Sequence, residues 1–129
     1  EGFLIQEQIS GATEMIVGFR RDPVLGPALL LGAGGTMAEL YEDVEICLLP
    51  ASRSEIGDMV RRLRMAPVLA GYRGQTAADT DALIDAAHRF SQMCLVLGDR
   101  LEDAEINPLF VRANGNGVAA ADAVIIFSE

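Results

Sequence analysis

Short runs rich in apolar residues, separated by glycine- and proline-containing turns, fill the first third of the chain, a pattern typical of β-strands. Phe3 to Ile9 and Thr13 to Arg20 are two such runs, separated by Ser10-Gly11-Ala12. A short glycine-containing connection between two strand patterns predicts an antiparallel hairpin. Ala28 to Leu31 and Val44 to Leu49 predict two further strands.

Two helices are predicted after these strands. The first begins at a capping box, because Ser52 is followed three residues later by Glu55, and we expect Pro67 to end it. The second runs from near Asp79 to Gly98, a residue type suited to a helix C-terminus. Each helix carries an apolar stripe, formed by Ile56, Met59, Val60 and Leu63 in the first and by Leu83, Ala87, Phe90, Cys94 and Leu97 in the second.

The last quarter of the chain predicts a second hairpin. Its strands are Ala104 to Val111 and Val118 to Phe127, with the turn inside Asn114-Gly115-Asn116-Gly117. Strands, then two helices, then strands indicate an α+β fold, in which two helices pack on a mostly antiparallel sheet. The length of 129 residues is typical of one domain, so we expect residues 1–129 to form a single domain.

The amino-acid composition restricts which binding partners and which reactions the chain can support. The formal net charge is −9, which argues against nucleic-acid and anionic membrane partners, because both need a basic face. None of the 10 basic residues is Lys, so phosphate contacts must come from Arg, backbone amides or a metal. Cys47 and Cys94 lie in apolar contexts, which favours free thiols in a reducing cytoplasm. The lone histidine, His88, falls in mid-helix, and we predict no catalytic triad.

The candidate metal ligands are Glu105, Asn107 and Asp122. Residues 105 and 107 are two apart and project from one face of a strand. A turn at Asn114-Gly115 pairs Asn107 with Asp122, whereas a turn at the next Asn-Gly pair places Asn107 opposite Ile126. In the first register the three side chains converge as hard oxygen donors, which suits Mg²⁺ or Mn²⁺. Alternatively, they are ordinary polar residues of a solvent-facing strand.

The first predicted hairpin offers a nucleotide site. Gln6 and Gln8 share one face, Glu7 lies between them, and an edge-strand backbone can hydrogen-bond a base. Glu14 follows the turn, where a carboxylate can accept from two ribose hydroxyls. The Gly32 to Gly35 loop can offer amides to phosphate, although it lacks a P-loop signature. Each of these features also occurs in plain turns and solvated loops.

Taken in order, these segments resemble one family. Phe3-Leu-Ile-Gln-Glu-Gln-Ile9 followed by Gly11-Ala-Thr-Glu14 resembles the hinge strand and ribose-binding turn of ATP-grasp enzymes. Other motifs resemble the ADP-forming acyl-CoA synthetase branch, related to succinyl-CoA synthetase: Gly18-Phe-Arg-Arg-Asp22-Pro-Val-Leu-Gly-Pro27, Gly32-Ala-Gly-Gly35, Glu39, Arg73-Gly74, and Glu105-Ile-Asn107-Pro-Leu109 with Asp122. The chain is therefore similar to the C-terminal half of an ATP-grasp domain.

The resemblance implies an acid–thiol ligase. In such enzymes ATP, a carboxylic acid and CoA give acyl-CoA, ADP and phosphate, through an acyl phosphate and a phosphohistidine on another domain. The resemblance implies that Gln6 to Ile9 hold adenine, with Glu7 and Ile9 using backbone groups, and that Glu14 holds the ribose.

The same resemblance implies that the terminal hairpin binds the metal. It implies that Asn107 and Asp122 bind Mg²⁺ with Glu105 beside them, and that the metal screens phosphate charge during transfer. Arg21 and the Gly32 to Gly35 loop are expected near the phosphate path.

The resemblance covers only part of such an enzyme. It implies that the N-terminal half of the ATP-grasp fold, and the CoA-binding and phosphohistidine-bearing domains or subunit, belong to a longer parent. We therefore expect this piece alone to be inactive. Leu25 and Ala33 stand where the family usually carries Phe and Leu. Two alternatives remain: an ATP-grasp-like regulatory domain of a protein acetyltransferase, and a non-catalytic module with a decayed metal site.

Overall fold

The computed structural model describes residues 1–35 and 42–129, in which six strands form one sheet and every strand pairing is antiparallel. Glu39, part of the family motif, lies outside these residues. The strands are β1 (Thr13–Asp22), β2 (Gly26–Ala33), β3 (Val44–Leu48), β4 (Leu101–Val111), β5 (Val118–Ala120) and β6 (Ala123–Phe127). The described helices are α1 (Arg53–Arg62), α2 (Ala66–Leu69) and α3 (Thr80–Leu97), and a 3-10 turn follows at Gly98–Arg100.

The strand order is β3-β2-β1-β4, and both β5 and β6 pair with the outer edge of β4. The predicted α+β class with a mostly antiparallel sheet is therefore confirmed. None of the described helices has the length and apolar composition needed to cross a membrane.

The helices cover one face of the sheet. Alternate residues of β1 and β2 are buried there against helix residues, and this core includes Met15, Val17, Phe19, Leu29, Leu31, Ile56, Met59, Leu83 and Ala87. Because side chains alternate along a strand, the residues between them point to the opposite face, which we call the open face. Apolar side chains remain exposed on the open face, for example Ile46 of β3 and Val124 of β6.

The sequence correctly predicted how α1 begins but not where it ends. Ser52 accepts from the Glu55 amide, and the Glu55 carboxylate accepts from the Ser52 amide, which confirms the capping box. The helix ends at Arg62 rather than at Pro67, and Leu63 is extended. Pro67 instead lies in the first turn of α2, where its missing amide donor costs nothing. Helix α3 begins and ends as predicted, with Asp79 and Gly98 as its caps.

The predicted hairpin between residues 3–9 and 13–20 is wrong. Residues 1–12 form no strand, and Phe3, Leu4 and Ile5 are between 84% and 101% exposed. The reason is that both edges of β1 are already paired, one with β2 and the other with β4. The apolar composition of residues 3–9 gives strand propensity, but this sheet offers no free edge of β1 to pair with.

The register of the terminal hairpin follows the first of the two predicted alternatives. Asn114 and Gly115 are the central residues of the turn, in which the Asn116 amide donates to the Ala113 carbonyl at 2.9 Å. Counting outward, Leu109 pairs with Ala120 and Ile106 with Ala123. Residue 107 therefore lies opposite residue 122.

Asp79 joins this turn to the start of α3. One of its carboxylate oxygens caps the helix through the Ala82 amide, while the other accepts from the amides of Gly115 and Gly117, at 3.2 and 2.8 Å. The hydrogen bond from Gly117 is the largest cause that lowers the pKa of Asp79, followed by that from Ala82. The carboxylate thus links the helix layer to the register of the hairpin.

Candidate functional site

Asn107 and Asp122 lie opposite each other on the outer part of the sheet. The backbone amide of Asn107 donates to the backbone carbonyl of Asp122 at 3.0 Å, and the backbone amide of Ala121 donates to the backbone carbonyl of Pro108 at 3.1 Å. Ile106 packs against the helix-covered core, whereas the side chain of the next residue, Asn107, reaches the Gly35 amide, and Asp122 is the residue paired with Asn107. The structure thus brings together two of the three predicted metal ligands.

A β-bulge occurs in β4 at the same place. Met15 of β1 pairs with Leu109, whereas Val17 pairs with Ile106, so two residues of β4 lie opposite one residue of β1. Bulges bend a strand and re-aim side chains, and they are frequent beside functional sites. The extra residue falls within Asn107-Pro108, next to Asp122.

The side chain of Asn107 also contacts the glycine-rich loop. Its Oδ1 accepts a hydrogen bond from the Gly35 amide at 3.1 Å. Gly34 in turn donates to the Glu14 carbonyl at 2.9 Å, and the Glu14 carboxylate lies against Gly35. The proposed phosphate loop, the ribose candidate and the metal candidate therefore form one contact network, although they are far apart in sequence.

Glu14 is exposed and borders a cavity of about 460 Å³. The described residues that line this cavity with it are Ala33, Gly34, Asp43, Arg64, Met65 and Val68. Glu14 is therefore accessible to a ligand from a concave surface, as a ribose-binding carboxylate requires.

Glu105 precedes Asn107 by two residues and is half-buried on β4, opposite Val124. Within residues 1–35 and 42–129, no group of three or more His, Cys, Asp or Glu side chains is arranged to hold a metal ion. The predicted set consists of two carboxylates and one amide. Such a set fits Mg²⁺ only with water and substrate phosphate oxygens as the remaining ligands, which is the usual arrangement for this cation.

The predicted adenine segment lies along the β4–β5 hairpin rather than in a strand of its own. Gln6, Glu7, Gln8 and Ile9 line a groove of about 450 Å³ together with Phe110 and residues 119–121. The Glu7 carboxylate pairs with Arg112 at 2.9 Å. The groove ends next to Asp122, so the segment runs close to the candidate metal ligands.

Arg21 lies away from this network. Its guanidinium donates to the Gly98 carbonyl at 2.8 Å and stacks on Phe19, 5.5 Å from the ring centroid. β1 begins beside Glu14 and reaches Arg21 seven residues later, roughly 23 Å further along the strand. This contact with the end of α3 gives Arg21 a structural role, because a cation there stabilises the last carbonyls of a helix.

Two structurally important carboxylates were missed in the sequence. Asp43 is buried and accepts from the amides of Arg64 and Met65, both at 2.8 Å, which fixes the connection between α1 and α2. Asp79 was predicted only as the start of a helix. Its position before an apolar stripe signals a cap, but no local signal indicates its second bond to a turn 36 residues away.

Comparison with known proteins identifies relatives along almost the whole chain. A model of the ATP-grasp domain family matches residues 1–127. The chain is 36% identical over 129 residues to the ADP-forming acetate–CoA ligase I of Archaeoglobus fulgidus, and it covers 18% of that protein. It is 33% identical over 125 residues to the β-subunit of the ADP-forming acetate–CoA ligase II of Pyrococcus furiosus, 53% of which it covers.

Solved structures give the same result. A crystal structure from Pyrococcus horikoshii matches 94% of the chain with a TM-score of 0.88 and 30% identity, and 51% of that protein is covered. The dinucleotide-forming acetyl-coenzyme A synthetase 1 of Ca. Korarchaeum cryptofilum, in complex with coenzyme A and Mg-AMPPCP, matches 93% of the chain with a TM-score of 0.86 and 29% identity. The chain thus spans from 18% to 55% of the length of these relatives.

Proposed function

Because the chain belongs to the ATP-grasp family, we propose that it is the part of an ADP-forming acyl-CoA synthetase that binds nucleotide and Mg²⁺. The observation that carries the proposal is the network on the open face, where Asn107 and Asp122 oppose each other and Asn107 contacts Gly35 beside Glu14. The reaction would convert ATP, a carboxylic acid and CoA to acyl-CoA, ADP and phosphate. The names of the relatives, which include ADP-forming acetate–CoA ligases, support this choice.

The site has the chemistry that Mg²⁺ and a nucleotide require. Asn107 Oδ1 and the Asp122 carboxylate are hard oxygen donors, and Glu105 lies two residues from Asn107 on the same strand. A bound Mg²⁺ would supply positive charge that stabilises the phosphate oxygens during transfer. The residues of this chain would hold and orient the nucleotide rather than react with it.

For the nucleotide, we propose two contacts. Residues 6–9 would hold the adenine through backbone groups of Glu7 and Ile9, which line the groove beside Ala121. Glu14 would accept from the ribose hydroxyls, because its carboxylate is exposed next to the glycine-rich loop. The Gly35 side of that loop would then face the phosphates.

The remaining components would belong to a longer parent. They comprise the N-terminal half of the ATP-grasp fold and the domains or subunit that bind CoA and carry a phosphohistidine. The chain covers 53% of the Pyrococcus furiosus β-subunit, which supports this division. We place the parent in the cytoplasm, where Cys47 and Cys94 remain reduced.

The proposal is tested on the full-length protein that contains this chain. It is incubated with ATP, Mg²⁺, CoA and one of three acids named in relatives, namely acetate, 4-hydroxybutyrate or trans-ferulate. We expect ADP and an acyl thioester to form in equal amounts with at least one acid. The proposal would be contradicted if none of the three acids gave ADP and a thioester and if the protein also failed to bind Mg²⁺–ADP. That result would favour a non-catalytic module.

A further inference from the structure

Gly35 occupies the point where the candidate metal ligand and the candidate ribose ligand meet. Its amide donates to Asn107 Oδ1 at 3.1 Å. Its φ is +82°, a conformation that L-residues with side chains adopt only with strain. A Cβ added at Gly35 would collide with the Glu14 carboxylate, whose Cδ would be 2.9 Å away.

The hydrogen bond from the Gly35 backbone amide fixes the orientation of the Asn107 side-chain carboxamide. The amide oxygen of Asn has two lone pairs, and the Gly35 N–H occupies one of them, which leaves the other for a cation. Hydrogen bonds of this kind, made by groups that do not touch the metal, orient the ligand atoms and raise metal affinity. Gly35 would therefore act on the metal through Asn107 and not by direct contact.

The same loop also fixes Glu14. The Gly34 amide donates to the Glu14 carbonyl, and a Cβ at Gly34 would collide with the backbone of Met15. The loop thus approaches the β1 backbone so closely that Gly34 must lack a side chain, whereas Gly35 is restricted by its positive φ and by the Glu14 side chain. As a result, the backbone of Glu14 is held by the residue that precedes Gly35, and the Glu14 carboxylate lies against the loop that contacts Asn107.

We propose that Gly35 is a positioning residue that couples Glu14 to Asn107, so that the nucleotide and metal parts of the site are set by one loop. This inference rests on the proposed function. It assigns to a backbone amide a role in metal affinity that is exerted through the Asn107 side chain, without contact between Gly35 and the metal.

The test uses Gly35→Ala in the full-length protein, with Gly26→Ala as the matched control. Gly26 has a similarly positive φ of +96°, but a Cβ there would meet no atom within 4 Å, so the control carries the backbone strain without disturbing the site. Mn²⁺ affinity is measured by electron paramagnetic resonance, and folding by thermal denaturation. We expect Gly35→Ala to weaken Mn²⁺ binding about 10- to 100-fold and Gly26→Ala to leave it unchanged.

The double variant Glu14→Ala/Gly35→Ala identifies the cause. Because the Glu14 carboxylate is the group that the new Cβ meets, its removal should restore most of the Mn²⁺ affinity lost in Gly35→Ala. Equal affinities in Gly35→Ala and Gly26→Ala, or an undiminished loss in the double variant, would overturn the coupling.

A second measurement does not depend on the folding of Gly35→Ala. In wild-type protein labelled with ¹⁵N-glycine, we expect Mg²⁺ to shift the Gly35 amide signal, and we expect this shift to vanish in Asn107→Ala. A Gly35 signal that ignores Mg²⁺ while the wild type binds Mn²⁺ would overturn this inference and leave the proposed function intact. Wild-type protein that binds neither Mn²⁺ nor Mg²⁺–ADP would overturn both.

Discussion

The two faces of the sheet share one backbone but differ in what their side chains do. On the helix-covered face, Leu31 is completely buried among helix residues. On the open face, its neighbour Leu30 is only half-buried, and the candidate ligands Glu14, Asn107 and Asp122 belong to this side. Core residues and candidate binding residues thus alternate along the same strands. Single substitutions should therefore separate the two properties.

The largest effect is expected on the helix-covered face. Leu31→Ala should lower the free energy of unfolding by about 2–5 kcal/mol, because it leaves a cavity in the core. Leu30→Ala, one residue away, should cost roughly 1 kcal/mol, because less apolar surface is lost. Urea denaturation of both variants measures the difference. Equal losses would mean that both faces are equally packed in the intact protein.

The next largest effect is expected on the open face and concerns turnover. Asp122→Ala in the full-length protein should lower kcat/KM about a hundredfold or more, because it removes a proposed metal ligand. Its melting temperature should remain almost unchanged, since residue 122 is exposed. Asp103→Ala, an exposed carboxylate on the same face of β4, is the control and should retain activity. A parallel loss of melting temperature and activity in Asp122→Ala would assign the residue to folding instead.

A smaller effect is expected where the helix layer meets the hairpin. The folded-state pKa of Asp79 is lowered mainly by the Gly117 amide, so its stabilisation is fully present above the unfolded pKa of about 3.9. The stabilisation is lost as the pH falls through the lower, folded pKa. A carboxamide has only one acceptor oxygen and cannot serve both the helix and the turn, so Asp79→Asn should lower the melting temperature by about 5 °C at pH 7, and this difference from wild type should shrink below pH of about 4. A difference that stays constant across this pH range would contradict an ionised cap.

The smallest effect is expected at the ion pair between Glu7 and Arg112. Glu7 is largely exposed, so Glu7→Gln should change stability by less than about 0.5 kcal/mol. It should also preserve nucleotide affinity, because the proposed adenine contact uses the backbone of Glu7. Isothermal titration with Mg²⁺–ADP measures this affinity. A large loss would mean that the Glu7 side chain binds the ligand directly.

Local sequence signals were sufficient for part of the fold and of the candidate site. The Ser52 capping box depends on neighbouring residues and was predicted correctly, and the turn at Asn114-Gly115 is one of the two positions that the sequence left open. The turn fixed the position of Asn107 opposite Asp122, because register is counted outward from it. The metal binding of these residues remains a prediction.

Other features depend on contacts that are distant in sequence. The segment from Phe3 to Ile9 has a strand composition, yet it forms no strand, because β2 and β4 occupy both edges of β1. The hydrogen bond between Gly35 and Asn107 joins residues 72 positions apart, and no local pattern indicates it. Arg21 was expected near phosphate because it belongs to a family motif, whereas its contact with Gly98 depends on where α3 ends.

Asp79 hydrogen-bonds both the start of α3 and the turn of the terminal hairpin, and this link determines which part of the chain could be transplanted to another scaffold. A transplanted β4–β6 ribbon would carry Asn107 and Asp122 but would lack the carboxylate that pins its turn. If the strand register of the ribbon then shifted by one residue, either Asn107 or Asp122 would point to the opposite face of the sheet. The smallest portable unit therefore begins near Ala77, whose carbonyl also holds Asn114, and includes all of α3.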